Sequence, residues 1–179
     1  MSKQNRIRLL YLMSVATKML QVKQFQVVLI LLSVRFAIAN GEKKYHIPVI
    51  KANWFKAVEF CHSLGMQLVT IDSREENDAL AKFIQSTDKF NELKNEFWIG
   101  GSDLSEEGTF SWLGTGKLVT YANWSVNEPN NYHGIEDCMQ LVYTPMYGQL
   151  WTWNDNICKK GHFYFICESV PKECIEEFK

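Results

Sequence analysis

Apolar residues recur along this chain with two different periods, and the change from one to the other divides it. Trp54, Val58, Cys61 and Leu64 fall four, three and three residues apart, one stripe of a helix that Asn53 is placed to cap and Gly65 to end. A second helix opens at Ser73-Arg74-Glu75-Glu76, a capping box, with Ala79, Leu80, Phe83 and Ile84 as its buried face. Short extended runs at Tyr45–Ile50 and Leu68–Ile71 precede and follow the first helix. From Phe97-Trp98-Ile99-Gly100 onward the pattern changes to brief strand-like runs between turn residues: Thr109–Leu113, Cys138–Tyr143, Leu150–Trp153 and Phe163–Cys167. Two helices followed by many short strands predict an α+β domain. Trp98, Trp112 and Trp151 lie inside strand-like runs, where burial in a core is the default.

One stretch follows neither period. Between Trp124 and Cys138 the chain is rich in Asn, Pro, Gly and acid and poor in apolar residues. It is too long for an ordinary hairpin, and a long structured loop in a small domain is usually a functional one.

Charge and cysteine placement set the compartment. Residues 1–39 carry six Lys and Arg and no Asp or Glu, so residues 40–179, with 13 basic and 20 acidic residues, come to −7. An acidic body argues against a nucleic-acid partner. In the basic leader the apolar run Val27–Val34 is followed by Ala37-Ile38-Ala39, the form of a signal peptide cleaved to leave Asn40 as the N-terminus. Arg35 stops that run well short of the ~20 residues of a membrane span. The expectation is therefore a leader at 1–39 and a secreted, extracellular domain at 40–179, with a core at 45–168 and a short C-terminal tail. All five cysteines, at 61, 138, 158, 167 and 174, follow the leader and read as disulfides with one left over.

The long loop and the strand after it hold the candidate chemistry. Glu128-Pro129-Asn130-Asn131, Glu136-Asp137 and Asn154-Asp155 all end in carboxylate or amide oxygens, the hard ligands that calcium takes in sets of six to eight. Glu128 and Asn130 are alternate residues whose side chains diverge on an extended backbone; a cis Glu128–Pro129 bond reshapes it, and X-Pro is where cis is accessible. Any one of these residues alone reads as solvated surface. Together they agree on one site.

In order, Cys61, Trp98-Ile99-Gly100, Glu128-Pro129-Asn130, Glu136-Asp137-Cys138, Trp153-Asn154-Asp155 and Phe165-Ile166-Cys167-Glu168 resemble the framework of the C-type lectin domain across nearly all of residues 45–168. The resemblance, which extends to the small single-domain lectins of insects, implies disulfides Cys61–Cys167 and Cys138–Cys158, worth about 5 and about 3 kcal/mol on a chain-entropy estimate. It also implies a calcium held by Glu128, Asn130, Glu136, Asn154 and Asp155, with two neighbouring sugar hydroxyls completing the ion's shell. Glu-Pro-Asn accompanies mannose-type sugars in the family, and Gln-Pro-Asp accompanies galactose. A second calcium would fall to Asp103, Glu107, Asn131 and Asp137; Asn131 stands where better-equipped members carry Asp, which weakens that ion. The implied partners are glycans on cells or microbes, as in innate immune recognition. Cys174 is left over, either to link two chains as a disulfide homodimer or to stay as a capped or buried thiol on a monomer.

Other chemistries lack parts. The chain has no GxSxG, no HExxH and no phosphate-cradling glycine loop, so no enzyme is expected. The rival from another class is a lectin-like module that binds protein with weak or no sugar binding; the complete five-ligand set argues against it. Asn123-Trp124-Ser125 is a glycosylation sequon whose Trp matches a family core position.

Overall fold

The computed structural model describes residues 43–170 and, in the preceding segment, Gln21, Lys23, Gln24 and Gln26, which are helical. The cleavage site at Ala37–Ala39 and Cys174 lie outside the described residues, and no described helix is long and apolar enough to cross a membrane.

The first element, β1 (Tyr45–His46), is shorter than the run Tyr45–Ile50 suggested. Pro48 has no N–H for a ladder, and Val49 and Ile50 beyond it are exposed. Helix α1 (Trp54–Ser63) begins where expected, with the Asn53 side chain accepting from Lys56 N. Its buried residues are Trp54, Ala57 and Cys61; Leu64, expected on that face, lies past the last turn and is exposed. After β2 (Met66–Leu68), α2 (Arg74–Gln85) is capped by Ser73, whose Oγ accepts from Glu76 N at 3.2 Å. The reciprocal half of the box differs, because Glu76 Oε2 accepts from Asp72 N and from Lys43 Nζ. The buried face of α2 is Asn77, Leu80, Ala81 and Ile84, while Ala79 faces solvent. Asn77 takes an inward position because the tryptophan-bearing strand Gln149–Asn156 needs its amide, as described below.

Six strands follow: β3 (Asn95–Ser102), β4 (Ser111–Trp112), β5 (Cys138–Thr144), β6 (Gln149–Asn156), β7 (Tyr164–Phe165) and β8 (Cys167–Ser169). The expected strand 163–167 is split in two. Tyr164–Phe165 pair in parallel with β3, whereas Cys167–Ser169 lie between β1 and β2, so one segment serves both sheets. The small sheet has the order β1-β8-β2; the larger runs β4-β3-β5-β6 with β7 on β3. Gly100 marks where the sheets meet: its N–H donates to Val69 O, and a Cβ there would stand 2.8 Å from Leu68 O. No side chain fits that approach.

Two apolar clusters fill the interior. One joins α2 to the large sheet through Leu80, Ile84, Ile99, Trp112, Leu141, Trp153 and Ile166; the other joins α1 to β3 and β7 through Trp54, Cys61, Trp98 and Phe165. Trp98, Trp112 and Trp151 are buried, as their strand positions predict. The indole N–H groups of Trp54, Trp98 and Trp153 donate to Ile99 O, Ala52 O and Asn77 Oδ1 respectively. Cys61–Cys167 pins α1 to β8, and Cys138–Cys158 ties the start of β5 to the chain just after β6.

Candidate calcium and sugar site

β3, β5 and β6 reach the same end of the large sheet, where Ser102 pairs with Cys138 and Cys138 with Asn156. The long loop is anchored to that end before it turns. Ser125 N donates to Trp153 O at 2.8 Å, its hydroxyl bonds Thr152 Oγ1 at 2.7 Å, and Glu128 N donates to Ser125 O. The chain then reverses through backbone at φ 67° in Asn127, 41° in Asn131 and 60° in His133. Asn and His occupy left-handed backbone more readily than most side chains, so this Asn-rich composition permits the turn. The Glu128–Pro129 bond is cis.

Asp155 organises what comes next. Fully buried in β6, its carboxylate accepts from Asn130 N at 3.2 Å and from Asn131 N at 2.7 Å. Glu136, nearly buried, accepts from Tyr132 N at 3.2 Å, and its own N–H donates to Asn131 Oδ1 at 3.1 Å. The side chain of Asn154 donates to Asp155 O and, at 3.5 Å, to Gln140 Oε1. Successive strand side chains point to opposite faces, so Asn154 meets the carbonyl of Asp155 and not its carboxylate.

Glu128 and Asp155 are direct neighbours. Burial pushes the Glu128 carboxyl up to about 7, helped by a hydrogen bond to Asp155 and by the charges of Asp155 and Glu136; a bond from Asn130 offsets part of this. Burial also raises Glu136, with the charge of Asp155 adding to it. The structure therefore gathers Glu128, Asn130 and Asp155 in contact, with Glu136 and Asn154 on the same framework. Among the described residues no three acidic, His or Cys side chains crowd closely enough to form a chelating group. Glu128 Oε2 is a buried carboxylate oxygen without a hydrogen-bond partner, the condition of a ligand atom. The residues fit a hard divalent cation.

Of the four residues expected at a second ion, Glu107 and Asp137 lie near enough to Asp103 for their charges to act on it. Asp103 is raised first by burial and further by the charges of Glu107 and Asp137, and its Oδ1 is buried without a partner. Its N–H donates to Asp137 O, and its Oδ2 accepts from Gly108 N. Asn131 contributes its amide oxygen to Glu136 N, on the side of the first site.

Gln140 was not among the residues singled out. Fully buried in β5, it accepts from both Asn154 and Asn156 and so sets the orientation of Asn154. A lone Gln between Met139 and Leu141 was its sequence signal. Cavities of about 390 to 640 Å³ open elsewhere on the domain.

Known proteins resemble this chain in sequence and in fold. The chain is 40% identical over 148 residues to C-type lectin mosGCTL-7 of Aedes aegypti, covering 83% of this chain and 96% of that protein. It is 38% identical to Salivary C-type lectin 1 of Aedes albopictus, over 72% of this chain and 84% of the relative. The carbohydrate-recognition domain of the mouse scavenger receptor C-type lectin superposes with a TM-score of 0.59 at 32% identity, covering 72% of this chain and 91% of that one. The domain of cow CD23, solved in the presence of a GlcNAc2Man3 oligosaccharide, gives 0.59 at 30% identity over 73% of this chain and 90% of its own. With residues 50–169 matching the Lectin C-type domain, the chain belongs to the C-type lectins, a carbohydrate-binding family without enzymatic activity.

Proposed function

We propose that this lectin is secreted, depends on calcium and prefers mannose-type sugars. The observation that carries the reading is the contact of the Glu128 and Asp155 carboxyls beside Asn130, with Glu128 Oε2 buried and unpartnered. The half-buried Glu128 carboxyl, pressed against the buried Asp155 carboxylate, is raised by burial and by that charge, and a divalent ion would relieve it. Family members generally bind calcium, and Glu128, Asn130, Glu136, Asn154 and Asp155 are the residues here that would hold it. When bound, calcium supplies two coordination positions to a pair of neighbouring sugar hydroxyls. The chain does the discriminating: carboxylates of the site accept hydrogen bonds from those hydroxyls, and the amides of Asn130 and Asn154 donate to them. The order acid-then-amide at 128 and 130 favours the mannose type. The cow CD23 domain, with its mannose-containing oligosaccharide, lends support.

A second, weaker ion at Asp103, Glu107, Asn131 and Asp137 has one carboxylate fewer than a fully acidic set. Secretion is supported by the leader and by two disulfides, which persist in oxidising compartments. A single shallow sugar site gives about 4 kcal/mol, a millimolar Kd, and linkage of two chains through Cys174 would add avidity. The test is retention on a mannan column in calcium with release by EDTA; retention that persists in EDTA overturns the reading.

A further inference from the structure

At the other end of the large sheet a cavity of about 390 Å³ opens between the 88–94 connection, the start of β3 and β7. It lies beside Asn95, which pairs with Tyr143, whereas the calcium loops attach beside Ser102, which pairs with Cys138. At about 3.3 Å per strand residue the two places are roughly 23 Å apart along β3.

The cavity's walls are Phe90, Phe97, Phe163 and Tyr164, and its charged groups are three lysines and two carboxylates. Lys89 and Lys94 are paired with Asp88 at 2.6 Å and Glu96 at 3.0 Å. Lys51 forms no salt bridge among the described residues; its ammonium stands 4.7 Å from the centre of the Tyr164 ring. Asn91 has its side-chain oxygen occupied by Leu93 N and Lys94 N, which leaves its amide N–H₂ as the group without a described partner. Asn95 holds the turn in place by accepting from Asn91 N and donating to Asn91 O. Three lysines against two carboxylates give the cavity a positive balance in a domain of net −7.

From this we infer that the cavity is a second saccharide site, independent of calcium, that takes an acidic sugar carrying sulfate or carboxylate. An aromatic wall covers the apolar face of a sugar ring. The Lys51 ammonium, held over Tyr164, keeps donors for an anionic substituent, and the Asn91 amide adds two more. The volume is that of a small-ligand site and suits one or two sugar rings. Two saccharide sites at opposite ends of one chain let a single molecule bridge two glycans. The calcium-loop residues take no part, so failure of the mannose reading leaves this one standing, and the reverse.

The experiment is calorimetric titration of a heparin-derived disaccharide into the protein in EDTA at low salt, with wild type, Lys51→Ala and Lys51→Arg. Expected are saturable binding, a loss of about fivefold in affinity for Lys51→Ala with recovery in Lys51→Arg, and weakening as salt is raised. Thermal melts of the three proteins should coincide, which reports that they are folded, and mannan retention in calcium should not differ among them. Absence of saturable binding, equal affinity for wild type and Lys51→Ala, or binding that requires calcium overturns the inference.

Discussion

The carboxyl of Glu128 lies against the carboxyl of Asp155, and burial, with the charges of Asp155 and Glu136 adding to it, lifts Glu128 to about 7. This ties the proposed ion site to pH through a group well above the usual carboxylate range. A carboxyl raised in the fold stabilises the metal-free protein below its ordinary value, and that contribution is lost as pH rises through the raised one. Glu136, raised in the same direction, adds to the effect.

The metal-free lectin is therefore expected to melt at a higher temperature near pH 5 than near pH 8. Calcium works the other way, since its binding displaces the Glu128 proton. Its stabilising effect should be larger at pH 8 than at pH 5.5, and mannan retention should begin to fall below about pH 7 and not only near pH 4. Thermal melts across this range in EDTA and in calcium check both signs. A calcium increment that does not change with pH removes the pair from the site.

Sugar choice is expected to reside in Glu128 and Asn130. Exchanging acid and amide, Glu128→Gln with Asn130→Asp, keeps the number of oxygens and the charge but reverses the order of donors and acceptors. Calcium should still raise the melting temperature of the double variant, while elution from a mannan column shifts toward that of a non-binder and galactose becomes the better competitor. Unchanged preference means that the hydroxyls are read elsewhere.

Much of this was legible in the chain because it depends on local chemistry. Asn53 and Ser73 cap helices through their own side-chain oxygens, and both are seen doing so. Cys61–Cys167 and Cys138–Cys158 matched the pairs implied by the resemblance. What was misread depends on distant partners. An apolar-stripe reading put Ala79 inside and left Asn77 out, yet Asn77 satisfies the Trp153 indole and the Trp151 carbonyl, both on β6 and more than 70 residues away. Trp151 itself has φ 60°, a conformation that nothing in its local sequence signals. Gln140 was missed for the same reason: its role is to orient Asn154, and that is visible only once β5 and β6 are paired.

Asn77 gives a stability prediction. Its Nδ2 donates to Trp151 O at 3.0 Å while its Oδ1 accepts from Trp153 Nε1 at 3.0 Å, all of it buried. Asn123 Nδ2 also donates to Trp151 O, so the sequon's asparagine is engaged inside the fold. Asn77→Ala strands the Trp153 N–H and should cost about 2–4 kcal/mol. Asn77→Asp keeps the acceptor and loses the donor to Trp151 O, but it introduces a buried charge and should be no better at neutral pH. Urea unfolding measures both. A loss below about 1 kcal/mol for Asn77→Ala would mean that water replaces the amide.

Lys43 and Glu168 supply the last test. The Lys43 ammonium sits among Thr70 O at 2.9 Å, Thr70 Oγ1 at 3.0 Å, Glu76 Oε2 at 2.9 Å and Glu168 Oε2 at 3.3 Å. Burial raises Glu168, and Lys43, Gln67 and Thr70 offset only part of that. Burial alone would lower Lys43, but Glu168 and Glu76 hold it above its ordinary value. Lys43→Met leaves Glu168 as a buried carboxylate without its cation, which should cost about 2–3 kcal/mol at neutral pH. The sign of the pH dependence follows from the raised Glu168: protonation removes the unpaired charge, so the deficit of Lys43→Met should shrink as pH is lowered from 8 to about 5. In Lys43→Met with Glu168→Gln the charge is gone at every pH, and most of the loss should be recovered at pH 8, with no further gain at pH 5. Urea unfolding of the three proteins at the two pH values separates this from simple loss of lysine packing, which would leave a deficit independent of pH and unrelieved by Glu168→Gln.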